Sequence, residues 1–78
     1  MVDSCVRRYY RVQLSELAYL RFIVESYEGL AVLTAHPGRG EVQWTVPAGL
    51  AGEADALARA LGQEMTLVPI PRPVDWPD

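Results

Sequence analysis

The fold is decided by residues 14–35, which read LSELAYLRFIVESYEGLAVLTA. Apolar side chains recur here every three or four residues, which is typical of a helix that buries one face. They are Leu17, Leu20, Ile23, Val24 and Tyr27. Gly29 can adopt the left-handed conformation that commonly ends a helix. The uncharged residues 30–35 that follow predict a buried strand.

Two residues of this stretch lie outside the periodic pattern. Ser15 precedes the first helical turn, where its hydroxyl could accept a hydrogen bond from a free backbone N–H, so we expect it to cap the helix. Phe22 falls beside the apolar stripe. We interpret it as the margin of a wide apolar face, with contact to a partner as the alternative.

Alternation and turn residues predict three further strands and a second helix. The strands are residues 6–12, 41–46 and 65–70, and the helix is residues 50–61. Pro37 and Gly38 fit the middle positions of a type II turn, which predicts a hairpin between the second and third strands. Pro69 cannot donate to a sheet ladder, so we expect the fourth strand at an edge.

The resulting order is strand, helix, strand, strand, helix, strand. This is the ferredoxin-like pattern, an α+β two-layer sandwich of a four-stranded antiparallel sheet with two helices on one face. The first and third strands would be central, the second and fourth would be edges, and the other sheet face would be open. Residues 1–70 are predicted to form this single domain, and residues 71–78 a proline-rich tail.

Part of the chain resembles a known family. The resemblance rests on Tyr10, on the run from Tyr19 to Thr34 and on Val46-Pro47, where an apolar helix, Tyr-Glu-Gly and an apolar strand follow one another. It looks like an uncharacterised family of small bacterial proteins, catalogued as a domain of unknown function (number forty-nine eleven in that series). The resemblance supports the fold and carries no activity.

The topology is also similar to the ACT-type regulatory domains. Those domains bind amino acids near the junction of the first strand and first helix, where they usually have a glycine. This chain has Gln13-Leu14-Ser15-Glu16 at that junction. The resemblance therefore implies a way of pairing into dimers more than an amino-acid site.

Composition excludes several classes of function. The chain has 78 residues, a net charge of −3 and no lysine, so it has no Schiff-base or phosphate-loop lysine. An acidic balance disfavours general nucleic-acid binding. The single Cys5 permits no internal disulfide, which suits a reducing cytosol, so we expect a cytoplasmic protein. We see no signal peptide and no run of membrane-spanning length.

Catalytic and metal chemistry also lack the residues that they need. Cys5 and His36 are too few ligands for a structural zinc site, and the acidic residues are scattered. Cys5 precedes the first strand and His36 lies at the hairpin, so nothing brings them together as a nucleophilic pair. The sequence predicts no catalytic residue, no metal and no cofactor.

Three candidate contact surfaces remain, and the first is the open sheet face. Arg7, Tyr9 and Arg11 of the first strand would lie beside Gln43 and Thr45 of the third. RNA-recognition modules of this topology stack bases on aromatic residues of the same two strands. The RNP motif is missing, so we favour a solvated or partner-covered face and keep single-stranded RNA binding as the alternative.

The second candidate surface is the edge formed by the second strand. Natural sheet edges are usually protected by charge, proline, a bulge or a cover, and residues 29–35 have neither charge nor proline. Antiparallel pairing with a second copy would bury both edges. We therefore expect a homodimer through Leu30, Val32, Leu33 and Thr34, unless the tail covers this edge.

The third candidate is Trp76, an aromatic residue among the prolines of the tail. We expect it to fold back on its own domain, with docking into a partner groove as the alternative. Taken together, the sequence predicts a small non-catalytic domain that acts through protein association or small-ligand sensing.

Overall fold

A computed structural model describes residues 4–36 and 38–76 of the chain. The strands are β1 (Cys5–Val12), β2 (Val32–His36), β3 (Glu41–Pro47) and β4 (Leu67–Ile70), and the helices are α1 (Leu17–Ser26) and α2 (Ala51–Leu61). A short 3₁₀ turn precedes each helix, at Leu14–Glu16 and Ala48–Leu50. The four strands form one antiparallel sheet in the order β2-β3-β1-β4.

This arrangement confirms the predicted α+β sandwich. Strands β1 and β3 are central, and β2 and β4 are the edges. Pro69 lies on the β4 edge, opposite Tyr10 of β1. An edge strand tolerates proline because a missing N–H on its outer side breaks no ladder hydrogen bond.

The core lies between the sheet and both helices. Period-two alternation places every second strand residue on the same face, and these residues meet the apolar stripes of α1 and α2. The largest fully buried side chains are Trp44, Leu20, Val24, Val42 and Val46. Because α1 and α2 contribute to one cluster with one sheet face, the two helices cover the same side of the sheet.

The start of α1 differs from the prediction that Ser15 caps it. Ser15 lies inside the 3₁₀ turn, and no side chain caps either segment. Backbone carbonyls take that role: the N–H of Glu16 donates to Gln13 O and the N–H of Leu17 donates to Leu14 O. Donors that would otherwise need a cap are thus already satisfied.

The end of α1 also comes earlier than the apolar pattern suggests. The helix ends at Ser26, and Tyr27 leaves the helical conformation with φ −96° and ψ 83°. Its side chain is therefore 49% exposed and does not join the buried stripe. Gly29 has φ +79°, as expected for the residue that turns the chain. Leu30 is buried, but it precedes β2.

The hairpin between β2 and β3 depends on two glycines with positive φ. Gly38 has φ +74° and Gly40 has φ +66°. Pro37, the other half of the predicted type II turn, lies outside the described residues. Gly40 also packs against β1: its carbonyl accepts a hydrogen bond of 2.7 Å from the N–H of Val12. The hairpin is thereby tied to the central strand.

Candidate functional site

A cavity of about 680 Å³ opens beside the free half of β1. Strand β4 pairs only with residues 9–12 of β1. Within the described part of the chain, residues 5–8 therefore have no strand paired with them on that side. Helix α2 lines the cavity on the helix side, and the chain just after β4 adds Arg72. The shortness of β4 therefore creates the opening.

The lining of this cavity is rich in guanidinium groups. Within residues 4–36 and 38–76, four arginines and one carboxylate, that of Asp55, line it, which is an excess of three positive charges in a chain of net charge −3. The arginines are Arg7, Arg8, Arg59 and Arg72. The wall also has an apolar part, formed mainly by Tyr10, Leu67, Pro69 and Ile70. A concentration of one sign of charge in a concave site raises the local concentration of the opposite ion.

Arg8 is fixed by Asp55 across the gap between β1 and α2. Its Nε lies 3.0 Å from Oδ1, and its Nη2 lies 3.4 Å from Oδ2. The hydrogen bond and the charge of Asp55 raise the pKa of Arg8 above its ordinary value. This pair explains why an arginine interrupts the apolar alternation of β1: the guanidinium reaches the margin of the core and meets a carboxylate there. Both side chains are more than one third exposed, so the pair adds little stability.

Arg7 and Arg59 differ from Arg8 in having no carboxylate partner among the described residues. Arg7 precedes Arg8 on β1, so the two side chains leave opposite faces of the sheet. The cavity therefore wraps around the free edge of β1, with Arg7 on one side and Arg8 and Arg59 on the other. A planar guanidinium presents donors that match a carboxylate or a phosphate in two-point contact.

The expected sheet-face residues share one face, but the face is not open at its centre. Pairing between β1 and β3 places Arg7 opposite Thr45 and Tyr9 opposite Gln43. Arg7 and Arg11 are exposed. Tyr9 is only 9% exposed, and its hydroxyl accepts a hydrogen bond of 2.9 Å from Gln43 Nε2. The expectation of an open face was wrong here because the tail crosses it.

Trp76 is the tail residue that covers Tyr9. It is 6% exposed, and its ring centroid lies 5.5 Å from that of Tyr9 and 5.6 Å from that of His36. Asp75 accepts a hydrogen bond from the Arg39 guanidinium, which lowers the pKa of the Asp75 carboxyl below its ordinary value. An aromatic contact and an ion pair thus hold the tail to the sheet.

The residues expected at the dimer edge divide between the two faces of the sheet. Val32 is 64% exposed and Thr34 is exposed, both on the face away from the helices. Leu33 and Leu30 are buried in the core. What β2 offers to a neighbour is therefore its backbone edge, with Val32 and Thr34 beside it.

Of the cavity arginines, Arg7 was predicted from the sequence as a sheet-face contact, and the other three were not assigned to a site. The sequence position of Arg8 did indicate a contact, because a charged side chain on the apolar side of a central strand needs a partner. Nothing in the sequence indicated Arg59 and Arg72, since they lie on α2 and on the chain after β4 and approach β1 only in the folded structure. Among the described residues, no group of three or more His, Cys, Asp or Glu side chains could hold a metal ion. No helix there is long and apolar enough to cross a membrane.

Comparison with known proteins gives one family. The family model described as "Domain of unknown function (DUF4911)" matches residues 10–65. No curated protein matches the chain. No solved structure matches it either.

Proposed function

The chain belongs to this family of unknown function, and we propose that it is a non-catalytic module that binds a small anionic ligand in the arginine-lined cavity. The observation that carries the proposal is the described lining of that cavity, in which four guanidinium groups and one carboxylate surround about 680 Å³. That volume falls in the range of known small-molecule sites.

The lining also indicates the kind of anion. Guanidinium groups bind carboxylates and phosphates through paired N–H donors. Tyr10, Leu67 and Ile70 provide an apolar wall for the rest of the molecule. We therefore expect an oxyanion that carries an apolar portion, with the charged end at Arg7 and Arg59 and the apolar end against β4.

Binding without chemistry fits the same residues. The described lining contains no cysteine, histidine or lysine. Its one carboxylate, that of Asp55, is engaged by Arg8 at 3.0 Å. A general base needs to be within hydrogen-bond reach of the proton that it takes, and Asp55 is turned to its partner. The proposal keeps the cytoplasmic location expected from a single free cysteine.

The single-stranded RNA alternative requires a different surface. A base would have to stack on Tyr9, which Trp76 and Gln43 now contact. An oligonucleotide would therefore have to displace the tail first. Arg7 and Tyr9 belong both to the cavity lining and to the surface of the RNA alternative, so a variant of either residue alone does not distinguish the two proposals.

Titration with phenyl phosphate tests the proposal. Inorganic phosphate and phenol are titrated separately, because they represent the charged and the apolar half of this probe. Amide NMR signals of cavity residues should shift, and phenyl phosphate should bind more tightly than either half. Arg59→Ala should weaken binding by at least about tenfold, because a hydrogen bond to a charged group contributes about 1.5–3 kcal/mol and 1.4 kcal/mol is a factor of ten. Arg21→Ala is the matched control, since Arg21 lies on α1 outside the cavity lining.

Asp55→Asn should change the affinity in the opposite direction from Arg59→Ala. It removes the one negative charge from the lining and releases Arg8, so affinity for phenyl phosphate should rise. No shift at millimolar probe, or an equal loss in Arg59→Ala and Arg21→Ala, would contradict a cavity site. Binding of a mixed oligonucleotide that is lost in Tyr9→Ala but retained in Arg59→Ala would instead support the RNA reading.

A further inference from the structure

The backbone hydrogen bonds of β1 show which of its groups point toward β3. At one end of the strand the N–H of Val12 donates to Gly40 O at 2.7 Å, and just before the other end Ser4 O accepts from the N–H of Ala48 at 2.9 Å. The register between β1 and β3 is continuous between these two bonds. Backbone groups of successive residues point to opposite sides of a strand. The even-numbered residues of β1 therefore direct their N–H and C=O groups toward β3.

The position of Pro69 agrees with this alternation. Pro69 lies opposite Tyr10, whose backbone groups face β3, so the ladder between β1 and β4 needs no N–H at that point. The groups on the side of β4 belong to the odd-numbered residues of β1. Beyond the end of β4, this side of the strand presents the N–H and C=O groups of Cys5 and Arg7.

The tail does not cover these backbone groups. The chain leaves the sheet after Ile70, and Trp76 then packs on Tyr9, on the face of the sheet. Across residues 4–36 and 38–76, no backbone hydrogen bond joins residues 71–76 to β1. In this part of the chain the free half of β1 is therefore a sheet edge that another extended chain could reach.

This edge forms one wall of the arginine-lined cavity. The free half of β1 has four residues, and a strand rises about 3.3 Å per residue, so its length is about 13 Å. A peptide of four extended residues has the same length. Helix α2 stands away from the edge and leaves about 680 Å³ beside it. The cavity therefore lies where a strand that prolonged β4 would run.

The charges of the cavity suit an acidic peptide. The side chain of Arg7 is exposed on the sheet face away from the helices, and Arg59 lines the cavity from α2 on the other face. Successive side chains of an added strand would point to these two faces in turn. Two neighbouring acidic residues of a peptide could thus each meet one of the two arginines, and opposite charge on the partner favours this pairing.

We propose that the anionic ligand of the cavity is an extended acidic segment of another protein, which pairs as a short strand with residues 5–8 of β1. This inference rests on the proposed function, because the same arginines bind the anion. Addition of a strand to an exposed sheet edge is a recurrent mode of peptide recognition, in which main-chain hydrogen bonds give affinity and side-chain contacts give specificity. Here Arg7 supplies both a backbone pair and a guanidinium group.

Titration of the wild-type protein with the blocked peptide acetyl-Val-Glu-Glu-Val-amide, followed by amide NMR, tests the proposal. The glutamine peptide acetyl-Val-Gln-Gln-Val-amide should bind at least about tenfold more weakly, because it lacks both charged acceptors. Two further peptides are methylated on the backbone nitrogen of one glutamate each. Neighbouring amides of a strand point to opposite sides, so one methylated peptide should bind at least about fivefold more weakly. The other should bind as the parent does.

A matched pair of variants tests the same edge from the side of the protein. Cys5→Pro removes one N–H from the edge, whereas Cys5→Ala keeps it. The parent peptide should bind Cys5→Pro more weakly than Cys5→Ala. Phenyl phosphate should bind both alike, because Cys5 is not among the described residues that line the cavity. Circular dichroism shows whether both variants fold, and the methylated peptides decide the matter on the wild type if Cys5→Pro does not.

The outcomes separate this inference from the proposed function. Binding of phenyl phosphate together with equal binding of the parent and both methylated peptides would overturn the strand pairing and leave the anion site intact. Equal binding of the glutamate and glutamine peptides would overturn the recognition of an acidic segment. If neither phenyl phosphate nor the parent peptide shifts any cavity signal, both proposals are wrong.

Discussion

Tyr9 and Trp76 meet edge to face, with ring centroids 5.5 Å apart and ring planes at 78°. This is one of the two geometries that aromatic pairs prefer. Tyr9 lies on a central strand and Trp76 in the tail beyond β4, so the contact joins the tail to the middle of the sheet. The tail is thereby part of the packed structure.

Replacing Trp76 should destabilise the whole domain. Trp76→Ala exposes Tyr9 and part of His36, and we expect the free energy of unfolding to fall by about 2–4 kcal/mol. Urea unfolding followed by circular dichroism measures this. Val74→Ala in the same tail is the control, because its side chain is fully exposed. Equal stability of Trp76→Ala and the wild type would show that the contact contributes nothing.

Alanine substitutions at the two hairpin glycines, Gly38 and Gly40, allow the cost of backbone strain to be measured separately from the cost of a steric clash. Both have positive φ, but a Cβ at Gly40 would lie 2.4 Å from the carbonyl oxygen of Val12, whereas a Cβ at Gly38 would meet nothing within 4 Å. Gly38→Ala should cost about 1–2 kcal/mol, the penalty of a left-handed conformation. Gly40→Ala should cost clearly more, since the clash pushes the hairpin off β1. Thermal unfolding of both variants checks the order, and equal midpoints would contradict it.

Stability should fall at alkaline pH because of Tyr10. Burial raises the pKa of its phenol above the ordinary 10.0. Above pH 10 the unfolded chain releases this proton while the folded protein still holds it, so the unfolded state gains stability. The contribution is complete below pH 10 and is lost as pH rises above it. Urea unfolding between pH 9 and 11 measures the slope.

Tyr10→Phe should flatten that alkaline slope, because the titrating group is gone while most of the packing remains. Tyr27→Phe is the control, since Tyr27 is half exposed, and it should behave as the wild type does. An unchanged slope in Tyr10→Phe would assign the alkaline loss to another group.

The order of elements followed from the sequence because each depends on neighbours in the chain. Alternation defines β1 and β3, the helical period defines α1 and α2, and Pro69 places β4 at an edge. The ends of elements were less predictable. Tyr27 fits the helical period, but the backbone has already left the helix there. Residues 65 and 66 fit the apolar run, but β4 begins at Leu67.

The candidate site could not be predicted because it is made by contacts between distant segments. Asp55 and Arg8 lie 47 residues apart in the chain. The cavity beside this pair exists only because β4 stops short of residues 5–8 of β1. The contact of Trp76 with Tyr9 was unpredictable for the same reason, because these two residues also lie far apart in the chain. The sequence indicated that Trp76 should fold back, but nothing local to it shows which side of the sheet it reaches.

The central place of β1 has a consequence for synthesis. Its two neighbours, β3 and β4, both come later in the chain. When a ribosome releases β1, neither partner exists yet, whereas β2 and β3 can pair as soon as their hairpin has emerged. Pairings between distant segments form slowly because the intervening loop must close first. The central strand β1 is thus enclosed on both sides only after β4 has been made.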